Sequence, residues 1–409
     1  MSTFAATRPG RRSVQLPPGF QLGTATAAYQ IEGAASTGGR GASIWDWFAS
    51  LEGKTDNGDT GAVACDHYNL WREDVALIAR LGFKAYRFSI SWSRVLPDGR
   101  RGENDGGVNE AGVAFYGSLI DALVAAGIEP IVTLYHWDLP LMLEHGGDPD
   151  EPMGWLNKET ARAFASYAGL CFERFGDRVK TWITVNEPWC CAALGYCSGE
   201  FAPGRSSSPA TEPYACAHNL LLGHAFAVEV YDTHFRASQG GKIAITLNMD
   251  WKFPKDPQSV GDVAATERAL DWGLGWFADP VYTGDYPPAM RKTCGERLPA
   301  FTPEESALLK GSNDFFGLNS YVERRAAAAA AAATPARYCC CRWCAVTTST
   351  TYNYCTLLLL TNSSPPLLGT RRTAAPFPSA RTTATATATA EATAGATIRR
   401  TTRRGSSKW

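Results

Sequence analysis

The sequence predicts a parallel α/β barrel across residues 16–324. Three observations predict this fold class. Short apolar segments suited to buried parallel strands alternate with segments of helical spacing. Polar residues follow the ends of several apolar segments, where the sites of α/β barrels are built. Neither a G-x-G-x-x-G nor a P-loop sequence occurs, so a closed barrel is favoured over an open doubly wound sheet.

Length and composition suggest one large globular domain with additional segments at both ends. The chain has 409 residues, and α/β barrels of ~250 residues or more routinely form a single domain. We divide it into an N-terminal extension (1–15), the barrel (16–324) and a tail (325–409). The boundaries follow changes in composition. The oligomeric state is not readable from the sequence.

The overall charge argues against polyanionic partners. The chain carries a formal net charge of -1 and has 45% hydrophobic residues, so neither nucleic acid nor a membrane surface is an expected partner. The first twenty residues contain arginines but no apolar core of a signal peptide, and no later stretch offers ~18 continuous apolar residues. These features predict a cytoplasmic protein.

The barrel segment contains six candidate strands. In chain order they are Phe20–Ala25, Ala85–Ser89, Glu129–Tyr135, Thr181–Asn186, Lys242–Asn248 and Asp314–Leu318. Between the third and fourth strands, apolar residues from Ala161 to Phe175 recur at i, i+3, i+4 and i+7, which predicts a helix with one buried face. Strands seven and eight of a complete barrel are not recognisable, and an atypical tail stands in their place.

The tail differs in kind from the barrel segment. It contains 11 Lys and Arg but a single acid, Glu391. It begins with a run of alanines, Ala326–Ala333, and includes an alternating Thr/Ala repeat around Thr383–Ala390. Low-complexity sequence without amphipathic periodicity predicts disorder. The abrupt change also suggests the hypothesis that this part of the gene has been translated out of frame or through an intron.

The fourth candidate strand delivers an amide and a carboxylate, Asn186 and Glu187, to its carboxyl end, and Pro188 then stops the strand. One alternative is that these residues only cap the following helix, since Asn is a good cap and Pro suits a first helical turn. The functional interpretation gains support because other strand ends carry similar groups. These are Gln30, Arg87, His136, Trp137, Asn319 and Tyr321.

Such a set suits a saccharide, because sugar CH faces stack on aromatic rings and sugar hydroxyls need hydrogen-bonding partners. Two of these residues have structural alternatives. Arg87 could form a buried ion pair inside the barrel, and Trp137 could be ordinary core packing. No histidine cluster with metal-ligand spacing occurs, so we expect neither a metal nor a cofactor.

Six motifs together resemble glycoside hydrolase family 1, the β-glucosidases, over roughly residues 16–324. They are Tyr29–Gly33, Cys65–Tyr68, Tyr86–Arg94, Tyr135–Pro140, Thr184–Trp189 and Asp314–Asn319. The resemblance implies a (β/α)8 barrel that hydrolyses β-glycosidic bonds with retention. Glu187 matches the glutamate that acts as general acid and base after strand four. Because family members that cleave thioglucosides lack this glutamate, its presence points to O-glycosides.

The resemblance also implies roles for the other candidate residues. Gln30, His136, Trp137 and Asn186 would hold the hydroxyls of the terminal sugar, with Asn186 on the 2-hydroxyl. Asn319 would lie in the wall of the sugar site. Tyr321 and Arg87 match positions that contact and orient the nucleophile. The implied substrates are small β-glucosides or short cellooligosaccharides.

One part of the family pattern is missing. The family places its nucleophile in an Ile-Thr-Glu-Asn-Gly segment on strand seven and a sugar-binding Trp and Glu with strand eight, and neither segment occurs in this sequence. Glu391 lies in a Thr/Ala repeat and is not a credible substitute; Glu323 matches no catalytic position. Without a second carboxylate, no covalent glycosyl-enzyme can form.

The sequence therefore predicts a family 1 β-glucosidase with impaired hydrolysis. The alternatives are a shortened sugar-binding protein without turnover and a degenerate product without function. A six-stranded remnant would also leave two parallel sheet edges unpaired, which predicts poor folding and aggregation.

Overall fold

The computed structural model describes residues 15–102, 107–145, 153–321 and 323–326; of the last four residues only the backbone is described. The predictions for the extension and the tail concern residues that lie almost entirely outside this range. They stay predictions.

The described backbone contains eight strands, numbered in chain order. They are β1 Gly23–Ala25, β2 Ala85–Ser89, β3 Glu129–Tyr135, β4 Thr181–Asn186, β5 Lys242–Asn248, β6 Trp251–Pro254, β7 Gly317–Asn319 and β8 Glu323–Ala326. Six of them form one parallel sheet in the order β1-β2-β3-β4-β5-β7. The predicted alternation of strands and helices around a parallel sheet is confirmed.

Four of the six predicted strands have the predicted bounds, and two differ. The first begins later, because a turn in which Phe20 N–H donates to the Pro17 carbonyl precedes it. The sixth was predicted at Asp314–Leu318 but begins at Gly317. The side chains of Asn313 and Asp314 accept the N–H groups of two β5 residues at 2.9 and 2.8 Å, so they replace ladder hydrogen bonds there.

The described helices are numbered in the same way. They are α1 Ala28–Ile31, α2 Ile44–Ser50, α3 His67–Leu81, α4 Trp92–Val95, α5 Glu110–Ala125, α6 Leu141–His145, α7 Lys158–Phe175, α8 Pro188–Cys190, α9 Glu212–His234, α10 Arg236–Gln239, α11 Val260–Leu270, α12 Trp276–Thr283, α13 Pro288–Cys294 and α14 Pro303–Leu309. Across the described ranges, none of these helices has the length and apolar character needed to cross a bilayer.

Helix α7 is the helix predicted between the third and fourth strands. The Asn157 side chain accepts the N–H of Glu159 at its start, and the apolar residues of the predicted face between Ala161 and Phe175 are buried. It packs against α9, where Gly223 lies against the rings of Phe164 and Trp155. The predicted buried face is confirmed.

The core has two parts, one on each side of the sheet. Helices and the outer faces of the strands enclose a large aromatic core that includes Trp92, Trp155 and Trp182. A second, small cluster consists of Ala85, Ile131, Ile183, Ala244 and Phe315. Its members come from β2, β3, β4, β5 and the segment before β7, so they form one layer inside the curved sheet.

Strands β6 and β8 form a separate parallel sheet of two strands that the sequence did not predict. In the described part of the chain, β1 and β7 each pair on one side only. The structure is thus six strands of an incomplete barrel. The prediction of aggregation through these edges remains to be tested.

Candidate active site

Strand β4 carries the two central residues of the site. Its buried residues end at Asn186, and Glu187 then takes a left-handed backbone conformation with φ 48°. A non-glycine residue is strained there, and such strain is concentrated at functional sites. Glu187 occupies the N-cap position of α8 but its side chain makes no capping hydrogen bond. The capping alternative is therefore not supported.

The Asn186 side chain connects three strands, and its partners fix the orientation of its amide. Its Oδ1 accepts from Arg87 Nη2 at 2.5 Å and from Asn319 Nδ2 at 3.1 Å. Its Nδ2 therefore points to His136, whose Nε2 lies 3.2 Å away. Asn186, Arg87 and Asn319 thus form a single buried network.

Three donors converge on the Glu187 carboxylate. Oε1 accepts from Asn319 Nδ2 at 2.5 Å and from the Tyr321 hydroxyl at 2.9 Å. Oε2 accepts from the Cys190 thiol at 3.3 Å. Burial, followed by the Glu187 charge, raises the pKa of Tyr321, so the phenol remains a donor. The structure therefore brings Asn319 and Tyr321 directly onto Glu187.

His136 lies in the site as a neutral imidazole. Burial lowers its pKa well below the usual value, and the charge of Arg87 lowers it further. Because Asn186 Nδ2 is a donor, His136 Nε2 must accept and Nδ1 must carry the proton. His136 Nδ1 is buried and has no hydrogen-bond partner among the described residues. The neutral ring therefore carries its proton on the buried nitrogen.

Trp137 follows at the same strand end and also has a strained backbone, with φ 76°. Its indole Nε1 donates to the Asn186 carbonyl at 2.8 Å. Its ring lies 5.4 Å from the ring of Phe201. The side chain is partly exposed and also packs against the large core, so the structure is compatible with both the sugar-binding and the core-packing alternatives.

Arg87 is the cationic member of the buried network. It is buried, and it donates to Thr133 Oγ1 at 2.9 Å as well as to Asn186 and Asn319. Burial lowers its pKa to about 10, with partial compensation from Glu187, so the guanidinium stays charged at neutral pH. No carboxylate of the described residues forms a salt bridge with it. The alternative of a structural ion pair is not supported.

Gln30 differs from the other predicted residues. It lies on the short helix α1 and is exposed. Among the described residues, its side chain makes no hydrogen bond to the network around Glu187. The structure places α1 near the site through Ala28, whose N–H donates to the Ser89 hydroxyl at 2.7 Å.

Three residues of the site were missed by sequence reasoning. Thr133 lies two residues before Tyr135 on β3, so strand alternation could have indicated that it shares a face with a residue near the site. Cys190 follows Glu187 at helical i, i+3 spacing, which also could have been recognised. Phe201 comes from an irregular segment, and no sequence pattern points to it.

Asp138, which follows Trp137 in the chain, allows the effect of burial on the pKa of a carboxyl group near the site to be tested. It is buried, and burial raises its pKa to about 7, against the opposing effects of the Arg40 charge and of hydrogen bonds from Ser91 and its own backbone. The folded state therefore binds more protons than the unfolded state, whose Asp pKa is ~3.9, and stability falls as pH rises from ~4 to ~7. Asp138→Asn should remove this loss, increasing stability at pH 8 by at most ~4 kcal/mol and little at pH 4.

The measurement is urea unfolding of both proteins at several pH values. Glu159→Gln is the control, because that carboxylate is exposed and should leave the pH dependence unchanged. If the free energy of unfolding changed with pH in the same way for the unmodified chain and for Asp138→Asn, the assignment of a raised pKa to Asp138 would be contradicted.

The site is a buried carboxylate at the end of a barrel strand, surrounded by amides, a phenol, an imidazole and an indole. This arrangement defines a parallel α/β barrel of the glycosidase class. The chain belongs to glycosyl hydrolase family 1, whose model matches residues 12–340. The family resemblance and the barrel fold predicted from the sequence are both confirmed.

Similar proteins agree with this assignment. Beta-glucosidase 1B of Phanerodontia chrysosporium is 55% identical over 317 residues, covering 75% of this chain and 57% of that protein. A rice β-glucosidase structure superposes with a TM-score of 0.72 at 47% identity, covering 76% and 64% of the two chains. A family 1 β-glucosidase from Humicola insolens in complex with glucose has a TM-score of 0.71 at 49% identity, covering 76% and 66%. The chain thus spans less than two thirds of the length of these relatives.

Proposed function

We propose that residues 16–324 form the part of a retaining β-glucosidase that binds the terminal sugar and supplies the general acid and base. In this proposal Glu187 acts as the general acid and base. Asn186, His136 and Trp137 hold the hydroxyls of a terminal β-D-glucosyl unit, and Asn319 forms a wall of the sugar site. The relatives named above are β-glucosidases, which supports the choice of glucose.

One observation carries the proposal. Glu187 is a buried carboxylate at the carboxyl end of β4, and its hydrogen bonds reach Asn319 and Tyr321 on the segment of β7. Two different strands therefore meet at one acidic group, as a barrel active site requires. A structural carboxylate would more simply pair with Arg87, but Arg87 instead donates to neutral groups.

The neutral His136 fits a sugar better than a charged ligand. Its imidazole is polar but uncharged, and the neighbouring indole of Trp137 offers an apolar face. Together they match a ring with one polar edge and one CH face. We propose O-glucosides as substrates, such as cellobiose-like or aryl and alkyl β-glucosides, because Glu187 is retained to protonate a poor leaving group.

We further propose that the chain as written hydrolyses these substrates poorly. Retention needs two carboxylates ~5–5.5 Å apart, and the printed sequence lacks the Thr-Glu-Asn-Gly segment that would supply the nucleophile. The alternative function is a sugar-binding protein without turnover. It keeps Asn186, His136 and Trp137 and uses Glu187 only as a hydrogen-bond acceptor.

The test combines a binding and a turnover measurement on the purified chain. Isothermal calorimetry with cellobiose should show binding, which His136→Ala should weaken about tenfold because a hydroxyl partner is lost. Hydrolysis of 4-nitrophenyl β-glucoside should remain near background. Activity well above background that disappears in Glu187→Gln would show that the chain is a working enzyme. Absence of any sugar binding would contradict the assignment of the site.

A further inference from the structure

A buried histidine of the helix layer, His224 on α9, joins two strand segments of the sheet. Its Nδ1 lies 2.8 Å from the hydroxyl of Thr184 on β4. Its Nε2 lies 3.0 Å from the hydroxyl of Ser312, in the segment between α14 and β7. We call these three side chains the His224 bridge. The proposed function assigns no role to any of them.

The partners of the His224 bridge fix the tautomer of the imidazole. The Ser312 hydroxyl donates to the Leu309 carbonyl at 2.7 Å, so it accepts from His224 Nε2. Nδ1 is then an acceptor and takes the proton of the Thr184 hydroxyl. Burial lowers the pKa of His224 to about 3, against the opposing effect of a hydrogen bond to Ser312. The ring is therefore neutral, and both of its nitrogens are bonded.

The bridge meets β4 at a β-bulge. Thr184 and Val185 together face the single residue Ile245 of β5, between regular pairs at Ile183 and Asn186. A bulge interrupts the ladder of backbone hydrogen bonds, so contacts from outside the ladder must hold the strand there. The hydrogen bond from Thr184 to the imidazole is such a contact.

The bulge decides which side chain of β4 enters the site. Ile183 belongs to the small cluster inside the sheet, so strict alternation would direct Val185 inward and Asn186 outward. Instead Val185 lies in the large outer core, and Asn186 accepts from Arg87 within the site. Bulges next to active sites commonly re-aim a side chain in this way.

The other end of the bridge reaches the strands on the far side of the bulge. Thr184 Oγ1 also lies 3.3 Å from the Ala244 carbonyl of β5. Asn313, the residue after Ser312, accepts the N–H of Ile245, which lies opposite the bulge, at 2.9 Å. The same segment continues into β7 and carries the amide and the phenol that donate to the acid.

We infer that His224 is a positioning residue for the active site, because its bridge holds the β4 bulge that directs Asn186 and Glu187 inward. It acts through Thr184 and not by contact with the sugar. The inference rests on the proposed function, since that function gives Asn186 a sugar hydroxyl to bind. The position of Asn186 can nevertheless be measured without any sugar.

The indole N–H of Trp137 reports this position, because it donates to the Asn186 carbonyl at 2.8 Å. Its ¹H–¹⁵N signal in NMR spectra of the full chain is assigned by its loss in Trp137→Phe. Thr184→Val keeps the shape of the side chain but removes the hydroxyl, so the bulge should relax and the proton signal should move upfield as the hydrogen bond lengthens. His224→Phe should give the same shift. Thr184→Ser, which keeps the hydroxyl, should leave the signal in place.

Calorimetric binding of cellobiose gives the functional measurement. Thr184→Val should weaken binding about five- to tenfold, and Thr184→Ser by less than about twofold. Ser312→Ala, a milder change at the other end of the bridge, should give a smaller loss of affinity and a smaller shift. Thr160→Val is the matched control, because the Thr160 hydroxyl is also buried and donates to the Gly154 carbonyl at 2.6 Å. It should change neither the signal nor the affinity.

Each other outcome has a definite meaning. If the Trp137 signal and the cellobiose affinity stay the same in Thr184→Val and His224→Phe, the inference is wrong, while the proposed function stands. A shifted signal with unchanged affinity would also contradict the inference, because the bulge would then move without effect on the site. If Thr160→Val has effects as large as Thr184→Val, general loss of stability explains both and the inference is wrong. If no sugar binds but the signal shifts only in variants of the bridge, the proposed function fails and the positioning of Asn186 by His224 stands.

Discussion

Replacement of residues 327–409 by the C-terminal segment of a family relative that contains the Thr-Glu-Asn-Gly strand is expected to raise kcat/KM for 4-nitrophenyl β-glucoside by on the order of 10³-fold or more. The new segment supplies the nucleophile on a strand beside β7 and a further strand that can pair with β1 and close the barrel. In the restored protein, Glu187→Gln should lower kcat by roughly 10²- to 10⁴-fold, because proton transfer to the leaving group is lost. Steady-state kinetics with both proteins measure these effects.

The leaving group provides an internal control for this assignment. A 2,4-dinitrophenyl glucoside needs little protonation, so glycosyl transfer from it should suffer much less in Glu187→Gln than transfer from an alkyl glucoside. Glu159→Gln, an exposed change of the same kind, should affect neither substrate. Equal losses for good and poor leaving groups would mean that Glu187 holds the structure of the site and does not act as the acid.

Arg94→Met is expected to reduce the free energy of unfolding by ~3 to 5 kcal/mol, because it leaves a buried carboxylate without its partner. Arg94 Nε donates to Glu32 Oε2 at 2.9 Å, and the two side chains are 0% and 5% exposed. The Tyr116 hydroxyl donates to the other oxygen of Glu32 at 2.6 Å. Urea unfolding monitored by tryptophan fluorescence measures the loss.

A surface pair provides the comparison. Arg162 lies 3.2 Å from Glu159, and both side chains are more than half exposed, so Arg162→Met should cost at most ~1 kcal/mol. If Arg94→Met costs no more than that, the buried pair does not hold the segment after β1 in place. Arg94 also donates to the Gly33 carbonyl at 3.1 Å, and its loss should therefore loosen the segment that carries Gln30.

The sequence predicted the inner strands well because their signals are local. β2, β3, β4 and β5 are apolar runs that end at a polar residue, so both their bounds and the residues at their carboxyl ends could be read from the chain. Glu187, Asn186 and His136 were selected for this reason, whereas Arg87, also predicted at a strand end, lies in the middle of β2. The sixth strand begins later than predicted because the side chains of Asn313 and Asp314 accept β5 N–H groups, and the local sequence does not reveal such contacts.

The sequence alone determined the parallel α/β fold and the set of polar groups at the strand ends. Hydrophobic periodicity and strand termination both depend on residues that are neighbours in the chain. Only the tertiary structure decided which groups meet. The orientation of the Asn186 amide depends on Arg87 and Asn319, which are 99 and 133 residues away in the chain. The tautomer of His136 follows from that orientation. Such contacts, and the two-stranded sheet formed by β6 and β8, arise from packing between distant segments of the chain, for which no local sequence pattern exists.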